Sequence, residues 1–273
     1  MHYTSLTHLL EKKKIFETTT LKLKRVRAKC VEKKHSTCLN FMTLEIVCVD
    51  KRAAVVRHLK ESLGGTLCRR DVVTCTVHQG QIEDWDEDGV CFINPCNARG
   101  IMTGALDRTL LKLMPGLDTD VDAMRRTWGV TAPDGSRHFP LFSALLTRTP
   151  NNRWCISSPC TYDTGGAREC LRGTRHAFLA THAALSMVIA ANRAGMGLRK
   201  IVLPGVCTGH GQMNRADAAH QMNDAFRAVF IDGNIARDPN QSLHPRLMMM
   251  PSYTKTSEGR WSSHFNEDGC ARG

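Results

Sequence analysis

Between residues 42 and 232, short runs of apolar and β-branched residues alternate with longer segments of helical periodicity. The run 42–50 predicts a strand, and the segment that follows it up to Gly64 predicts a helix with Asp50 as its N-cap. Strands that alternate with helices in this way favour right-handed crossovers and a mainly parallel sheet that helices cover on both faces. The sequence therefore predicts one α/β domain.

The same patterns locate further elements along the chain. Strands are predicted at 71–77, 89–93, 154–158 and 199–203, and helices at 105–114, 174–192 and 214–231. The last helix begins with Asn214 and has Asp217 three residues on, a variant of the capping box. The segment 115–150 fits either helix or loop. The acidic turn 83–88 is expected to be a solvated loop, because its spacing defines no cation-binding geometry.

The positive charge of the chain is concentrated near its amino-terminal end. Residues 1–40 hold ten Lys or Arg and three acids, which accounts for +7 of the net +11. Such an arm can bind nucleic acid through counterion release, or it can simply keep a tail solvated. We therefore expect a basic, disordered arm at 1–41, a folded domain at 42–235 and a disordered tail at 236–273.

Composition excludes several classes of protein. Hydrophobic residues make up 42% and charged residues 23%, so the chain can bury a core and is not disordered throughout. Its longest apolar stretches, such as 183–191, are shorter than the roughly 18 uncharged residues of a membrane-spanning helix. The amino terminus runs from apolar to basic, the reverse of a secretory signal. Neither a membrane protein nor an exported one is expected.

The 12 cysteines include no Cys-X-X-Cys pair, so no zinc site is predicted. Cys48 and Cys91 lie in strand-like runs, where a free thiol behaves as a small buried hydrophobe. A reducing intracellular compartment, cytoplasm or nucleus, fits this pattern best. Cys96 and Cys207 lie in loops without a local base, so neither is expected to be a nucleophile. No metal ion and no cofactor is predicted, and the oligomeric state is left open.

Two glycine-bearing loops each follow a buried strand and open a helix. We call residues 92–107 the first loop and residues 201–214 the second loop. Open parallel sheets bind ligands at such positions, because small residues let backbone N–H groups reach phosphate oxygens and the following helix adds its positive end. The two loops are therefore the predicted binding site.

The residues that carry a resemblance are Asn94-Pro95-Cys96-Asn97, Gly100, Met102, Gly104 and Asp107 in the first loop, Ser158-Pro159-Cys160, residues 204–211 in the second loop, and 218–226 in the last helix. In this order they resemble the macro domain family, whose members bind ADP-ribose, and especially its bacterial and phage-associated branch. The resemblance implies a single macro-like domain with three α/β/α layers and a mixed, mainly parallel sheet.

The resemblance implies roles for two side chains of the first loop. Asn97 matches the asparagine that holds the distal ribose, since its amide can both donate and accept. Asp107 matches the carboxylate that, in hydrolytic members, orients or deprotonates a water attacking the distal anomeric carbon. The structural alternatives are that Asp107 only caps the helix beginning near Arg108 and that Asn97 only braces its own loop.

The second loop would clasp the diphosphate. Its implied ligand-binding residues are Gly205, Val206, Cys207, Thr208, Gly209, His210 and Gly211. The amides of 207–211 would donate, Thr208 would add its hydroxyl, and His210 would flank the distal ribose or face solvent. Gly209→Val is expected to abolish binding, because a β-branched side chain obstructs the phosphate and resists a positive backbone angle.

The remaining implied ligand contacts are Met102 and Gly104 in the first loop and Gln81 and Ile82 after the second strand. Here the chain departs from the family pattern. Gly80-Gln81-Ile82 stands where members commonly have Gly-Asp-Ile, so the contact to the adenine amine would be made without charge. Ala105 stands where many members have a second glycine, and the aromatic residue often found in the second loop is missing.

Three functions follow from these observations. The chain could bind ADP-ribose and hydrolyse ADP-ribosyl linkages at the distal ribose, with Asn97 and Asp107 as catalytic residues. It could bind ADP-ribose or a related nucleotide, free or on a modified macromolecule, without turning it over. It could also be a nucleic-acid-binding protein that uses a macro-like scaffold and its basic arm. Fold alone does not choose among the three.

Overall fold

The computed structural model describes residues 43–64, 73–132, 134–149, 151–162 and 170–232, with two short strands further along. The strands are β1 (Leu44–Asp50), β2 (Val73–Gln79), β3 (Cys91–Asn94), β4 (Val130–Thr131), β5 (Arg137–His138), β6 (Leu145–Arg148), β7 (Trp154–Ser157), β8 (Lys200–Pro204), β9 (Ser252–Lys255) and β10 (Trp261–His264). The helices are α1 (Ala53–Leu63), α2 (Ala105–Leu113), α3 (Leu117–Trp128), α4 (His176–Arg193) and α5 (Arg215–Arg227), which continues as a π-helical turn at Ala228–Asp232.

Six strands form one mixed sheet in the order β2-β1-β8-β3-β7-β6. All neighbours are parallel except β6, which runs antiparallel to β7. Val202 of β8 lies at the centre, between Val47 of β1 and Phe92 of β3, and all three are fully buried. Strands buried on both faces read as continuous apolar runs, which is why β1, β3 and β8 were predictable.

Helices cover both faces of the sheet. Alternate residues of β1 point to opposite layers: Ile46 and Cys48 pack with α1, α4 and α5, whereas Val47 and Val49 pack with α2 and α3. The α1 layer adds buried residues such as Leu59. The predicted three-layer α/β/α fold with a mixed, mainly parallel sheet is confirmed.

Two predicted helix caps are wrong in detail. Helix α1 begins at Ala53 with Arg52 as its N-cap, and Asp50 remains the last residue of β1. The Asp50 carboxylate instead accepts the backbone amide of Arg52 (2.9 Å) and the Arg52 side chain. At α5, Asn214 caps the amide of Ala216 (2.8 Å), one residue before the amide that a capping box would use.

The acidic turn begins as a short 3-10 helix, Ile82–Trp85, and two of its acids form ion pairs. Asp86 pairs with Arg153, and Glu87 pairs with Lys200 (2.8 Å). Within the described ranges, every helix falls short of the length and apolarity that crossing a membrane requires. The cysteines described there are free thiols, and a reducing compartment stays a prediction.

The predicted domain limits are not tested. The basic arm at 1–41 lies outside the described residues, so nucleic-acid binding stays a prediction. Of the predicted tail at 236–273, only β9 and β10 are described, and they pair antiparallel.

Candidate functional site

The two loops lie side by side because β3 and β8 are neighbouring parallel strands. β3 ends at Asn94 within the first loop, and β8 ends at Pro204 within the second loop. β1 is parallel to β8 on its other side, so the connection from β1 to α1 reaches the same edge. This carboxyl edge is where open α/β sheets bind ligands.

Backbone hydrogen bonds anchor the first loop to the segment after β7. The Cys96 amide donates to the Ser158 carbonyl (3.2 Å), and the Cys160 amide donates to the Cys96 carbonyl (2.9 Å). Further along, the Ala98 amide donates to the Thr161 carbonyl (2.8 Å). Strand-like pairing therefore continues past the ends of β3 and β7 and fixes the course of the loop.

Gly100 is a position in the first loop that requires glycine. Its φ of 66° lies in the left-handed region. A Cβ there would lie 3.0 Å from Cε2 of Phe139 and 3.1 Å from Cγ1 of Val121. The Phe139 amide donates to the Ala98 carbonyl (2.7 Å), so the segment after β5 closes directly against the loop.

Asn97 is buried and bonded within its own loop. Its Nδ2 donates to the Ile101 carbonyl (2.7 Å), and its Oδ1 accepts the Ile101 amide (3.2 Å). The predicted bracing of the loop is thus present. An amide has a second N–H and a second acceptor site, so these two bonds leave capacity for a ribose. The ribose contact stays a prediction.

Asp107 caps helix α2 from its first turn. Its Oδ2 accepts the Gly104 amide (3.0 Å), and the helix begins at Ala105, three residues before the predicted Arg108. A Cβ on Gly104 would lie 2.8 Å from this oxygen, so the glycine lets the chain approach the carboxylate. Asp107 therefore caps this helix, and its catalytic role, which stays a prediction, would use the remaining oxygen.

Burial raises the pKa of the Asp107 carboxyl above its ordinary value, and the Gly104 amide, the Asn94 side chain and the charge of Arg108 counteract part of this rise. A carboxylate with a raised pKa is a better proton acceptor than an exposed one. Burial also raises the pKa of the Cys96 thiol, which keeps it protonated and agrees with its predicted lack of nucleophilicity.

Asn94 was given no role by the sequence. It is 1% exposed, and neither atom of its side-chain amide has a hydrogen-bond partner among the described residues. The Asn94 side chain lowers the pKa of the Asp107 carboxyl and so opposes the effect of burial. The sequence signal that could have pointed to Asn94 is a polar residue at the end of a strand that is otherwise apolar and buried.

The predicted contacts to adenine and to the middle of the ligand are more dispersed. Gln81 is exposed, and its backbone N–H donates to the Asp84 carboxylate (2.8 Å), while Ile82 is buried. Met102 is also buried, in the layer of α2 and α3. The sheet order brings Gln81 to the same edge as the two loops. Ligand contacts by Gln81, Ile82 and Met102 stay predictions.

The second loop has an unusual backbone. Cys207 has a φ of 60° and Gln212 a φ of 49°, both in the left-handed region that side chains rarely adopt. Gly209, for which a positive angle was expected, does not have one, and a Cβ there would meet nothing within 4 Å. The expected backbone strain in Gly209→Val is therefore wrong, and the position is open.

Two backbone hydrogen bonds stabilise the second loop, one inside the loop and one to Leu171, just before α4. The Met213 amide donates to the Cys207 carbonyl (3.1 Å), and the Leu171 amide donates to the Gly211 carbonyl (2.9 Å). Within the described part of the chain, four amides of the loop donate to no acceptor, namely those of Gly205, Val206, Gly209 and Gly211. The loop thus presents unpaired N–H groups on a fixed frame.

The ligand contacts of Thr208 and His210 stay predictions, and the structure shows the surroundings of both side chains. The Thr208 hydroxyl donates to the Gly205 carbonyl (3.1 Å) and accepts from Arg52, so its proton is used inside the protein rather than offered to a phosphate. His210 is partly buried, so it does not point wholly to solvent.

Sequence reasoning missed Arg52 as a site residue. Its guanidinium bonds the Asp50 carboxylate and the main chain and hydroxyl of Thr208, which lies 156 residues away. The Asp50 side chain is 7% exposed and the Arg52 side chain 35%. The pair of opposite charges at the end of β1 was visible in the sequence, but its partner in the second loop was not.

His176 was also missed. It is the first residue of α4, and its Nδ1 donates to the Cys160 carbonyl (2.8 Å) in the segment that pairs with the first loop. The ring of Phe142 meets it edge-on at 4.8 Å. Burial lowers the pKa of His176, so the imidazole is neutral near pH 7 and its Nε2 is the nitrogen that can accept.

No protein-family model and no curated protein sequence matches the chain. Among solved structures, the chain is similar to the macrodomain of Mycobacterium tuberculosis DarG, with a TM-score of 0.41 and 15% identity over 56% of this chain and 89% of that one. It is also similar to a glycine-to-valine variant of an Oceanobacillus iheyensis macrodomain with ADPR, with a TM-score of 0.37 and 17% identity over 51% of this chain and 69% of that one. Both structures are macrodomains, the family that the two loops of this chain resemble.

Proposed function

We propose that the chain binds ADP-ribose at the carboxyl edge of its sheet, with the diphosphate on the second loop. The observation that carries the proposal is the group of unpaired amides in that loop, at Gly205, Val206, Gly209 and Gly211. Backbone N–H groups of a folded protein nearly all find an acceptor in the protein, in water or in a ligand, and a series of N–H groups left open on one loop is suited to an anion.

The surroundings of the second loop support an anionic ligand. Helix α5 starts at Arg215, directly after the loop, so the positive end of its dipole faces the same region. Gly209 offers no side chain that could cover the amides. Diphosphate oxygens are well suited to such a site, because each can accept more than one N–H.

The first loop supports the ribose end of the ligand. Asn97 lies in the first loop, three residues beyond the end of β3, and keeps one N–H and one acceptor site beyond its bonds to Ile101. The fixed ladder from Cys96 to Thr161 holds that side chain in place. Sugar hydroxyls, which both donate and accept, would bond the remaining N–H and the remaining acceptor site of the Asn97 side chain.

Titration calorimetry of the full chain with ADP-ribose tests this function. We expect saturable one-to-one binding, and weaker binding of adenosine, which has the base and a ribose but no phosphate. A chain that takes up adenosine and ADP-ribose equally would contradict the role of the second loop. No heat and no competition with ADP-ribose at any accessible concentration would contradict the function itself.

Hydrolysis at the distal ribose is a second candidate, favoured by the burial and raised pKa of Asp107. In this reaction the carboxylate takes a proton from water as the water oxygen bonds the anomeric carbon. The bond from that carbon to the modified group breaks, and the group leaves with the electron pair and is protonated by solvent. Asp107 would act through the oxygen that does not cap Gly104.

Release of ADP-ribose from a mono-ADP-ribosylated protein tests the second candidate. A chain that binds ADP-ribose but releases none from several modified proteins or nucleic acids would be a reader. Detectable turnover that disappears in Asp107→Asn would support hydrolysis, because the amide cannot accept the proton.

A further inference from the structure

We propose that Asp50 and Arg52 form a positioning pair that holds the second loop in the shape that leaves its amides unpaired. The pair lies at the end of β1 and the start of α1, outside both loops, and neither residue is among the predicted ligand contacts. The effect of the pair on ADP-ribose affinity rests on the proposed function. Its effect on the conformation of the second loop does not.

The guanidinium of Arg52 bonds on two sides. Towards Asp50, Nε donates to Oδ1 (2.9 Å) and Nη2 donates to Oδ2 (2.8 Å), which is the two-pronged geometry of an arginine and a carboxylate. Towards Thr208, Nη1 donates to the carbonyl (2.7 Å) and Nη2 donates to the hydroxyl (2.5 Å). One planar group thus ties the end of β1 to the middle of the second loop.

Asp50 fixes the orientation of this group. Its Oδ1 also accepts the backbone amide of Arg52 (2.9 Å), so the carboxylate bonds the same residue through main chain and side chain. Asp50 is 9% exposed and continues a strand that is paired on both sides. A buried carboxylate on a rigid strand leaves the guanidinium little freedom to turn.

The second loop packs closely on the pair. A Cβ on Gly205 would lie 2.8 Å from Oδ2 of Asp50 and 3.0 Å from Oγ1 of Thr208, so only glycine fits where the loop crosses the pair. The Thr208 hydroxyl returns its proton to the Gly205 carbonyl (3.1 Å). The carbonyls of Gly205 and Thr208 therefore each accept a hydrogen bond from a nearby side chain. The amides of the same two peptide groups, those of Val206 and Gly209, donate to no acceptor among the described residues.

The pair acts through geometry rather than net charge. Asp50 neutralises Arg52 at 2.8 Å, so the second loop gains no uncompensated positive charge from it. Lysine would keep the charge, but its single ammonium group cannot reach the Asp50 carboxylate and both Thr208 oxygens in one plane. Arg52→Lys therefore distinguishes an effect of hydrogen-bond geometry from an effect of positive charge.

The experiment uses the full chain labelled with 15N-glycine, as wild type, Arg52→Lys, Asp50→Asn and the control Arg57→Lys. Arg57 lies on α1, its side chain is 66% exposed, and it pairs only loosely with Glu61 (3.8 Å). We expect Arg52→Lys and Asp50→Asn to shift or broaden the amide signals of second-loop glycines. The signal of Gly195, which follows α4, and the whole Arg57→Lys spectrum should stay as in the wild type.

ADP-ribose affinity is measured on the same four proteins. We expect Arg52→Lys and Asp50→Asn to lower it about ten- to a hundredfold, the fold-change that corresponds to one or two charged hydrogen bonds. Arg57→Lys should bind as the wild type does. A merely structural role would lower the melting temperature without a selective change in second-loop signals or in affinity.

The outcomes separate this inference from the proposed function. If the wild type binds no ADP-ribose, the proposed function fails, and the glycine spectra alone test whether Asp50 and Arg52 position the second loop. Unchanged second-loop signals in Arg52→Lys would overturn the positioning role in either case. If the wild type binds and Arg52→Lys binds equally well, the pair has no role in binding and the proposed function stands.

Discussion

In the first loop, two polar side chains of the loop itself bond its backbone, whereas the second loop is also bonded by a side chain from the connection after β1. Asn97 bonds Ile101 and Asp107 bonds Gly104 within the first loop. In the second loop, Arg52 reaches in from another strand. Substitutions in the first loop therefore change fold and site together, while those in the second loop can change the site alone.

The largest effect expected from this difference is at Gly209. Gly209→Val should lower ADP-ribose affinity by about a hundredfold or more, because a branched side chain beside unpaired amides blocks a phosphate. The melting temperature should stay as in the wild type, since a Cβ there meets nothing within 4 Å. Calorimetric titration and a thermal melt measure the two quantities.

Gly205→Val is the matched control in the same loop. Its Cβ would lie 2.8 Å from the Asp50 carboxylate and 2.9 Å from Cγ1 of Val55, so we expect destabilisation of about 1–3 kcal/mol as well as lost binding. Wild-type affinity in Gly209→Val would remove the second loop from the site.

The next largest effect concerns turnover, and it applies if the chain is a hydrolase. Asp107→Asn should lower the rate of ADP-ribose release by about two or more orders of magnitude and leave affinity within a few fold. Its Oδ1 can still accept the Gly104 amide, so the cap is kept. Asp107→Ala loses the cap too, which costs about 1 kcal/mol of stability.

Single-turnover assays of both variants, with a thermal melt of each, separate chemistry from folding. Full activity in Asp107→Asn with an intact fold would assign the proton transfer to another group.

Asn97→Ala should produce a smaller and mixed effect. Two hydrogen bonds to Ile101 are lost, so we expect a stability loss of about 1–3 kcal/mol together with weaker ADP-ribose binding. Asn214→Ala is the comparison, because it removes the cap of α5 at a similar cost without touching the first loop. Unfolding in urea and calorimetric titration give both quantities. Unchanged binding in Asn97→Ala would leave Asn97 as a brace only.

The smallest effect is the pH dependence of stability that comes from His176. Burial lowers its folded pKa below the ordinary value of 6.5. The unfolded chain therefore binds the proton more readily, so the contribution to stability is complete above pH 6.5 and is lost as pH falls through the folded pKa. His176→Asn should flatten the fall in melting temperature between pH 7.5 and 5, in a scan with calorimetric detection.

His182, whose pKa burial also lowers, contributes in the same sense. The variant that replaces both histidines should therefore show the flattest profile. A wild-type profile that does not fall below pH 6.5 would contradict the neutral, buried state of His176.

Local patterns predicted the central strands and helices to within a few residues. β8 was expected at 199–203 and is Lys200–Pro204, and α4 was expected at 174–192 and is His176–Arg193. β4, β5 and β6 escaped prediction because they are short and depend on distant packing, such as Phe139 against Gly100. Periodicity carries no information on such contacts.

The candidate site was predictable in outline only. Motif spacing located Asn97 and Asp107 but could not decide how their polar atoms are bonded. Asp50 was predicted as a helix cap because that is a local role, whereas its carboxylate is taken by Arg52, whose other bonds reach Thr208 156 residues away. Interactions across that separation are set by the order of strands in the sheet.

The most direct test of the central claim is the amide spectrum of the full, 15N-glycine-labelled chain titrated with ADP-ribose and, separately, with adenosine. We expect ADP-ribose to shift the Gly209 and Gly211 amide signals strongly, because their N–H groups gain acceptors, and adenosine to leave them in place. Saturable ADP-ribose binding that moves Gly100 and Gly104 but leaves Gly209 and Gly211 in place would contradict that claim.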